Sequence, residues 1–351
     1  MFLLAPPRTN AAGVAFLKEM PKTVAPSIAS ITTAYNAERT LPRQIESLLS
    51  QTRPLQEIIV VDNASTDGTV TMLATRYPQV TVLRMPENLG AAGAWAAGLS
   101  YAALEKRHDW VWTFDDDSVP QPDALEILLD GVRDLEVEHS DIGIAAGLAV
   151  NGETGDLYKP VLWRDDFVQP PAAVLAQANW FADIVIASGC MVRREVVERI
   201  GLPRADFFMD VFDFEYCLRA RNAGYKLAII NGARVVHEIG NARKIRLPGY
   251  SRLWTKQTPW REYYISRNLC YLAWWLYPNV RSKRAIARYL TVHAIQIGLF
   301  GSRKLDCLTK MAQGLHDGHR GALGIRFRPE AGQFGGHSPH VPADSLVQEK
   351  A

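Results

Sequence analysis

Ile58-Ile59-Val60-Val61 is an unbroken apolar run that ends abruptly in Asp62-Asn63-Ala64-Ser65-Thr66-Asp67-Gly68-Thr69. A run of strand length with no polar side has no face to offer water, so it reads as a parallel strand covered by helices on both sides. Parallel neighbours must be joined by long crossovers, which are usually helices. The surrounding sequence supplies them. Residues 28–36 read as a first buried strand ending in the polar turn Tyr35-Asn36, and Leu41, Ile45, Leu48 and Leu49 keep helical spacing. A helix over 70–77, a short strand over 80–84, a small-residue helix over 91–99 and a strand through Trp110-Val111-Trp112 continue the alternation. In such a sheet ligands settle beyond the carboxyl ends of the strands. Tyr35-Asn36, Asp62-Asn63 and Asp115-Asp116-Asp117 all stand at such ends, so three polar clusters converge on one edge.

The triplet Asp115-Asp116-Asp117 carries the most chemistry. Three adjacent carboxylates after a buried strand are costly unless a cation neutralises them. Mg²⁺ or Mn²⁺ takes oxygen ligands and commonly bridges one or two carboxylates to substrate phosphates, which points to a nucleotide. The competing reading is a solvated acidic turn, with Ser118-Val119-Pro120 starting the next helix. What weighs against that reading is the company the triplet keeps.

Further along, 122–135 reads as a helix, 142–150 and 187–192 as strands, and 193–200 as a short helix stopped by Gly201. The stretch 151–179 has no clear period. An acidic group, Asp210, Asp213 and Glu215, leads into a helix that ends at Gly224, and strand segments at 226–231 and 233–237 follow. Residues 1–27, with four prolines, read as an irregular arm, 28–240 as the strand-and-helix domain that carries the acidic clusters, 241–329 as a basic helical region, and 330–351 as a disordered tail.

Charge is divided unevenly. Residues 243–329 hold 17 Lys and Arg against three acids, a net of +14, which leaves −12 on the rest of a chain whose total is +2. A basic region beside an acidic body suits an anionic surface or ligand, either membrane headgroups or nucleic acid. Cys190, Cys217, Cys270 and Cys307 are widely spaced, which suggests a reducing compartment and neither a zinc site nor a disulfide frame. Met1-Phe2-Leu3-Leu4 is too short for a signal segment, and no apolar run is long enough to span a bilayer.

Taken together, TAYN at 33–36, VVDNASTDGT at 60–69, ENLGAAGAWAAG at 87–98, FDDDS at 114–118, DVFDFEYCLRARNAGY at 210–225 and the later His237 resemble the family 2 glycosyltransferases. The pieces occur in order over roughly residues 28–270 and are specific jointly where each alone is weak. The DDDS and DFEYCLRA forms look closest to bacterial galactofuranosyl- and rhamnosyltransferases. The resemblance implies a GT-A fold, which is a Rossmann-like, mostly parallel sheet flanked by helices. It also implies an inverting, metal-dependent transfer from a UDP- or dTDP-linked sugar to a glycan or polyprenyl-linked acceptor.

Carried over by position, Thr33, Ala34, Tyr35 and Glu38 would surround the base and ribose, and Asp62 would accept from the base ring. Asp62 also suits a helix cap. Gly90 and Gly93 would let the backbone approach the nucleotide, or would serve helix packing. Asp115 and Asp117 would hold the metal, Mn²⁺ or Mg²⁺, with His237 as third ligand, and Asp115 and Asp116 would face the donor. A lone His is as readily structural. Asp213 would be the general base, with Asp210 and Glu215 competing and helix capping as the alternative role. One departure is Ala97, where many members carry a polar residue. Trp163 and Trp180 are candidates for stacking on an acceptor sugar, against ordinary core packing.

The helices expected over 261–277 and 282–300 are basic and amphipathic, as suits either the membrane interface or a cap on the catalytic domain. The expected place is the cytoplasm, peripheral at the inner face of the cell membrane. Two other functions compete. A nucleotidyl- or phosphoryl-transferase would use the same triplet, yet the body has no P-loop. A nucleic-acid binder would use the +14 segment, which leaves the acidic body unexplained, so no nucleic-acid partner is expected. A dinucleotide-binding dehydrogenase is disfavoured because no G-x-G-x-x-G follows the first strand.

Overall fold

In this computed structural model, β1 (Ile28–Ala34) pairs in parallel with β2 (Glu57–Asp62) on one side and with β4 (Trp110–Asp115) on the other. The structure describes residues 25–328 apart from 153–154, 159, 164–166, 238–241, 248–249 and 256. Most of the expected arm and all of the expected tail lie outside the described residues. The register sets Thr33 beside Asp115 and Ala34 beside Asp62, so the polar strand ends lie level with one another. Helices α1 (Leu41–Leu49) and α2 (Thr69–Arg76) are the crossovers around β2 and β3 (Thr81–Arg84), and α3 (Gly90–Leu99) leads back to β4.

Side chains of the central strands alternate between two cores. Ile31, Ile59 and Val111 pack with Trp95 and Leu99 of α3 on one face. Ile28, Val60, Trp112 and Phe114 pack with Leu41 and Ile45 of α1 on the other. This is the period-2 pleat of strands buried on both sides. The second core also takes Leu125 and Leu128 of α4 (Ala124–Glu136).

Beyond β4 the sheet changes direction. The full order is β10-β12-β6-β11-β4-β1-β2-β3, with β11 (Cys190–Arg193) antiparallel between β4 and β6 (Ile142–Asn151). The stretch that showed no period contains the short strands β7 (Leu157–Tyr158), β8 (Leu162–Trp163) and β9 (Phe167–Val168), then the single turn α5 (Ala172–Leu175) and β10 (Asn179–Ala182). Elements this short bury too little to leave a periodic signature. Helices α6 (Arg194–Ile200) and α7 (Phe212–Asn222) follow.

Ser118–Pro120 is a strand, β5, so the helix start of the competing reading does not form there, and the two segments expected at 226–231 and 233–237 are one twelve-residue strand, β12 (Lys226–His237), with an irregularity between Ile229 and Arg234. The second half of β12 pairs antiparallel with β5, placing His237 opposite Ser118. Ahead of its helices the basic C-terminal region has a β-hairpin, β13 (Ala242–Leu247) and β14 (Tyr250–Thr255). Three helices follow it: α8 (Pro259–Tyr271), α9 (Val280–Phe300) and α10 (Lys304–His319). Helix α10 is absent from the sequence-based expectation because its glycines at 314 and 318 weaken its helical pattern. Those glycines let α10 lie directly on α8. A Cβ at Gly314 would collide with the Tyr263 carbonyl, and one at Gly318 with the Arg267 carbonyl.

Gly314→Leu should therefore cost about 2–3 kcal/mol in chemical denaturation, the range for forcing atoms into a packed interior. Gly298→Ala on α9, where an added Cβ meets nothing within 4 Å, should leave stability unchanged or raise it by up to about 1 kcal/mol.

Candidate active site

The carboxyl edge is braced before any ligand arrives. Asn36, at the end of β1 with φ of 53°, accepts the Thr66 N–H at 2.7 Å, and its own N–H donates to Ser65 Oγ at 2.9 Å. The Glu38 N–H donates to Asp67 Oδ2, and the Ala37 N–H to Thr69 Oγ1. A second brace joins β2 to the next loop, where Asn63 accepts the Leu89 N–H at 2.8 Å and donates to Asn88 Oδ1 and the Gly90 carbonyl. These Asn, Ser, Thr and Asp side chains tie loop to loop, a role the sequence alone did not assign them. The signal was present in their short polar side chains, which favour such local bonds.

Asp62 is fully buried between these braces. Its Oδ1 accepts the Ser65 N–H, and among the described residues its Oδ2 has no hydrogen-bond partner, the nearest cation there being Arg84 Nε at 3.9 Å. A buried acceptor oxygen left unmatched at a strand end is fit to receive a ligand N–H or O–H. Thr33 Oγ1 points at Asp115 Oδ1 across 3.5 Å, and Tyr35 lies one residue beyond β1 next to the triplet's side of the edge. Glu38 is exposed, with its carboxylate over Gly68. Gly90 has φ of +72° and abuts the Phe208 carbonyl, so the close approach it permits is to the protein's own loop. Gly93 sits in the first turn of α3 against Leu89.

The triplet meets His237 through the β5–β12 pairing. Asp117 Oδ1 lies 3.0 Å and Asp115 Oδ2 3.8 Å from the imidazole, and the three residues offer ligand atoms within 4.8 Å of one another. Burial raises the Asp115 pKa, and the neighbouring Asp117 adds to the rise while His237 opposes it. Asp116 is pushed well up by burial and by both flanking carboxylates. At His237 burial would lower the pKa, yet the three carboxylates outweigh it and raise it. For the two carboxyl groups burial is the larger cause and the crowded charge adds to it, whereas at His237 the crowded charge sets the direction. Two hard carboxylate oxygens and an imidazole fit a divalent ion such as Mn²⁺ or Mg²⁺.

The turn 187–189 couples this cluster to Asp213. Ser188 Oγ accepts the Asp115 N–H at 3.2 Å and donates to Ser118 Oγ at 2.6 Å, and Ser118 Oγ lies 2.6 Å from His237 Nδ1. One residue earlier, the Ala187 N–H donates to Asp213 Oδ2 at 3.3 Å. Asp213 Oδ1 takes the Phe214 N–H at 2.9 Å, and no side-chain cation pairs with this carboxylate among the described residues. Burial, helped by Asp210 and Asp115, pushes its pKa up to about 7. The two rival acids are engaged elsewhere. Asp210 is held by Arg261 of α8 in a two-pronged pair, with contacts of 3.2 and 2.5 Å, and Glu215 is buried against Arg219 at 2.9 Å.

The loop that delivers Asp213 is strained. Phe208, Asp210 and Val211 all have positive φ, between 59° and 66°, which costs on the order of 1–3 kcal/mol at a non-glycine residue. Helix α8 grips it. Asn268 Nδ2 reaches the carbonyls of Phe207, Met209 and Asp210, while Arg267 donates to the Asp206 and Phe207 carbonyls, and both side chains are fully buried. Neither residue stood out in the sequence, because no local pattern shows which carbonyls they meet.

Trp163 and Trp180 are corrected. Trp180 is 3% exposed in β10 and donates to Asn231 Oδ1, and Trp163 is 8% exposed among Phe167 and Tyr277. Neither ring presents a free face to a sugar; both pack the protein.

A mostly parallel sheet whose carboxyl edge gathers an Asp-x-Asp pair defines a GT-A glycosyltransferase architecture. The fold is shared with the crystal structure of GalNAc-T7 with UDP, GalNAc and Mn²⁺, at a TM-score of 0.54 and 17% identity, over 71% of this chain and 47% of that one. Residues 30–201 match the family described as Glycosyl transferase family 2, so the chain carries a domain of that family and is a glycosyltransferase. The match ends before Asp213 and His237. The dTDP-rhamnosyl transferase RfbF of Shigella flexneri is 24% identical over 300 residues, 85% of this chain and 97% of that protein. The galactofuranosyltransferase GlfT1 of Mycolicibacterium smegmatis is 34% identical over 94 residues, 26% of this chain and 30% of the relative. Among the described residues no helix is long and apolar enough to cross a membrane.

A raised carboxyl pKa weakens the fold wherever the unfolded chain is ionised and the native one is not. Native stability should thus fall as pH climbs from the usual 3.8 to about 7 and then level off. Asp213→Asn removes that penalty. Its Tm should exceed the parent's above pH 7, with the gap closing as pH falls toward 3.8.

Proposed function

We propose that the chain is an inverting, metal-dependent transferase that moves a hexose of the rhamnose or galactofuranose class from a UDP- or dTDP-linked donor to a hydroxyl of a lipid-linked or polysaccharide acceptor. It would work in the cytoplasm, at the inner face of the membrane. The observation that carries this reading is the coupling of Asp213 to the Asp115–Asp117–His237 cluster through the short turn 187–189. The sugar classes are supported by the names of the Shigella and mycobacterial relatives.

In this reading the base and ribose lie over Thr33, Ala34, Tyr35 and Glu38, and the open Oδ2 of Asp62 accepts from the base. Gly90 and Gly93 lie nearby at the start of α3. Asp115, Asp117 and His237 would hold the divalent ion, which when bound would supply positive charge beside the departing diphosphate. Asp116 faces the sugar. Backbone N–H groups of Ala187 and Phe214 fix the Asp213 carboxylate. The acceptor oxygen then bonds to the anomeric carbon as the diphosphate oxygen leaves from the opposite side, and the hydroxyl proton passes to Asp213. A base with a pKa near 7 is ionised in part at neutral pH and still basic enough to take that proton.

A nucleoside diphosphate should raise Tm only in the presence of Mn²⁺ or Mg²⁺, and Asp117→Ala should abolish the rise; stabilisation of that variant without metal would overturn the assignment. Asp213→Asn should keep the metal-dependent shift yet lose roughly 10²-fold or more in transfer rate. The parent's kcat/KM should climb roughly tenfold per pH unit below about 7 and then flatten. A profile flat from pH 5 to 8 would move the base elsewhere.

A further inference from the structure

We infer that Ser118 and Ser188 are positioning residues for His237: they hold its imidazole in the tautomer that carries the proton on Nδ1 and turns a bare Nε2 toward the divalent ion. The inference rests on the metal-dependent reading above and adds to it the two side chains that aim one ligand.

The two ring nitrogens keep different company. Nδ1 lies 2.6 Å from Ser118 Oγ and 3.0 Å from Asp117 Oδ1, both hydrogen-bond distances. Nε2 faces Asp115 Oδ2 at 3.8 Å, which is too long for a hydrogen bond and suits two atoms that share one ion. A carboxylate oxygen only accepts, so the nitrogen beside Asp117 must bring the proton. In a neutral ring that leaves the lone pair, and with it the metal bond, to Nε2. Turning the ring over would put a carbon where Nδ1 now meets Ser118 Oγ, at a separation with room only for a hydrogen-bonding atom.

The serines supply the matching acceptor. The Asp115 N–H donates to Ser188 Oγ at 3.2 Å, and Ser188 in turn donates to Ser118 Oγ at 2.6 Å. The proton of Ser118 has Asp117 Oδ1 at 3.4 Å as its outlet. One lone pair of Ser118 is thus taken by Ser188, and the other is left for the Nδ1–H. Were Ser118 to donate to the ring instead, the Nδ1 lone pair would stand 3.0 Å from the Asp117 carboxylate, acceptor against acceptor.

Burial and strand pairing keep this order in place. Ser118, Ser188 and His237 are all buried, so little water competes for their bonds. Ser118 and His237 face each other across the β5–β12 pairing, and Tyr158 of β7 packs edge-on to the imidazole with ring centroids 6.3 Å apart. Partners of this kind fix both the tautomer and the orientation of a ligating ring.

The test reads the metal and the ring directly. Mn²⁺ binding to the full chain, alone and with UDP, is titrated by electron paramagnetic resonance. The ring nitrogens of ¹⁵N-histidine-labelled protein are read by NMR in Mg²⁺, with His237→Gln assigning the signal. The parent should show a protonated Nδ1 and a bare Nε2 at His237. Ser118→Ala should weaken Mn²⁺ binding about tenfold or more, and Ser188→Ala, which carries the comparison if Ser118→Ala does not fold, roughly threefold or more. A purely structural role would lower Tm and leave both affinity and tautomer where they are. A proton on Nε2 in the parent, or serine variants with parental affinity for Mn²⁺, overturns the proposal. Binding lost in His237→Gln but kept in the serine variants sinks this role alone. Binding absent from the parent, or left intact by His237→Gln, sinks the metal assignment of the transferase reading together with it.

Discussion

Everything at the carboxyl edge depends on β5 meeting the end of β12. That antiparallel contact brings His237 across more than a hundred residues of chain to Ser118, and so to the carboxylates on either side of Asp116. Without it the triplet would be a crowded acidic turn with no imidazole beside it. The contact is possible because β12 is long and irregular near its middle, so that one strand serves three neighbours, β6 along both halves, β10 beside its first half and β5 at its end.

A second constraint acts on the other wall. The proposed base sits after three residues in left-handed backbone conformation, a geometry that persists only when neighbours enforce it. Here the enforcement comes from both sides: Gly90 yields space to the Phe208 carbonyl, and Asn268 and Arg267 hold the carbonyls that follow and precede it. Asp210 is then anchored by Arg261. Strain, a buried carboxyl group and a buried cation satisfied by carbonyl oxygens all meet within a few residues, as is common where a fold gives up stability for chemistry.

The left half of the sheet was legible in the sequence because its strands are buried on both faces and their helices are amphipathic. The apolar run at 58–61 and the heavy strand at 110–112 could hardly be anything else. Long-range contacts left no such trace. Ser118-Val119-Pro120 looked like a helix start because proline is common there; only the distant β12 makes it a strand. Trp163 and Trp180 suggested sugar stacking by residue type, whereas burial is set by neighbours that residue type does not reveal. Residues such as Ser188, Arg267 and Asn268 carry no signature at all, since their partners are backbone atoms brought near by tertiary packing. The acids were legible because like charges seldom stand in a row at the end of a buried strand unless a cation is to be held there.

The grip of α8 on the 207–211 loop has a consequence for how such proteins diversify. The C-terminal helices and the loop ahead of Asp213 are not separable modules, for α8 belongs to both. A chimaera that borrowed the C-terminal helices of a relative while keeping its own loop would present foreign side chains to carbonyls already committed to particular donors. New acceptor preferences in this lineage would then arise by exchanging loop and helix as a matched set, and α9 belongs to that set too, since its His293 meets Glu262 of α8 beside the arginine that anchors Asp210.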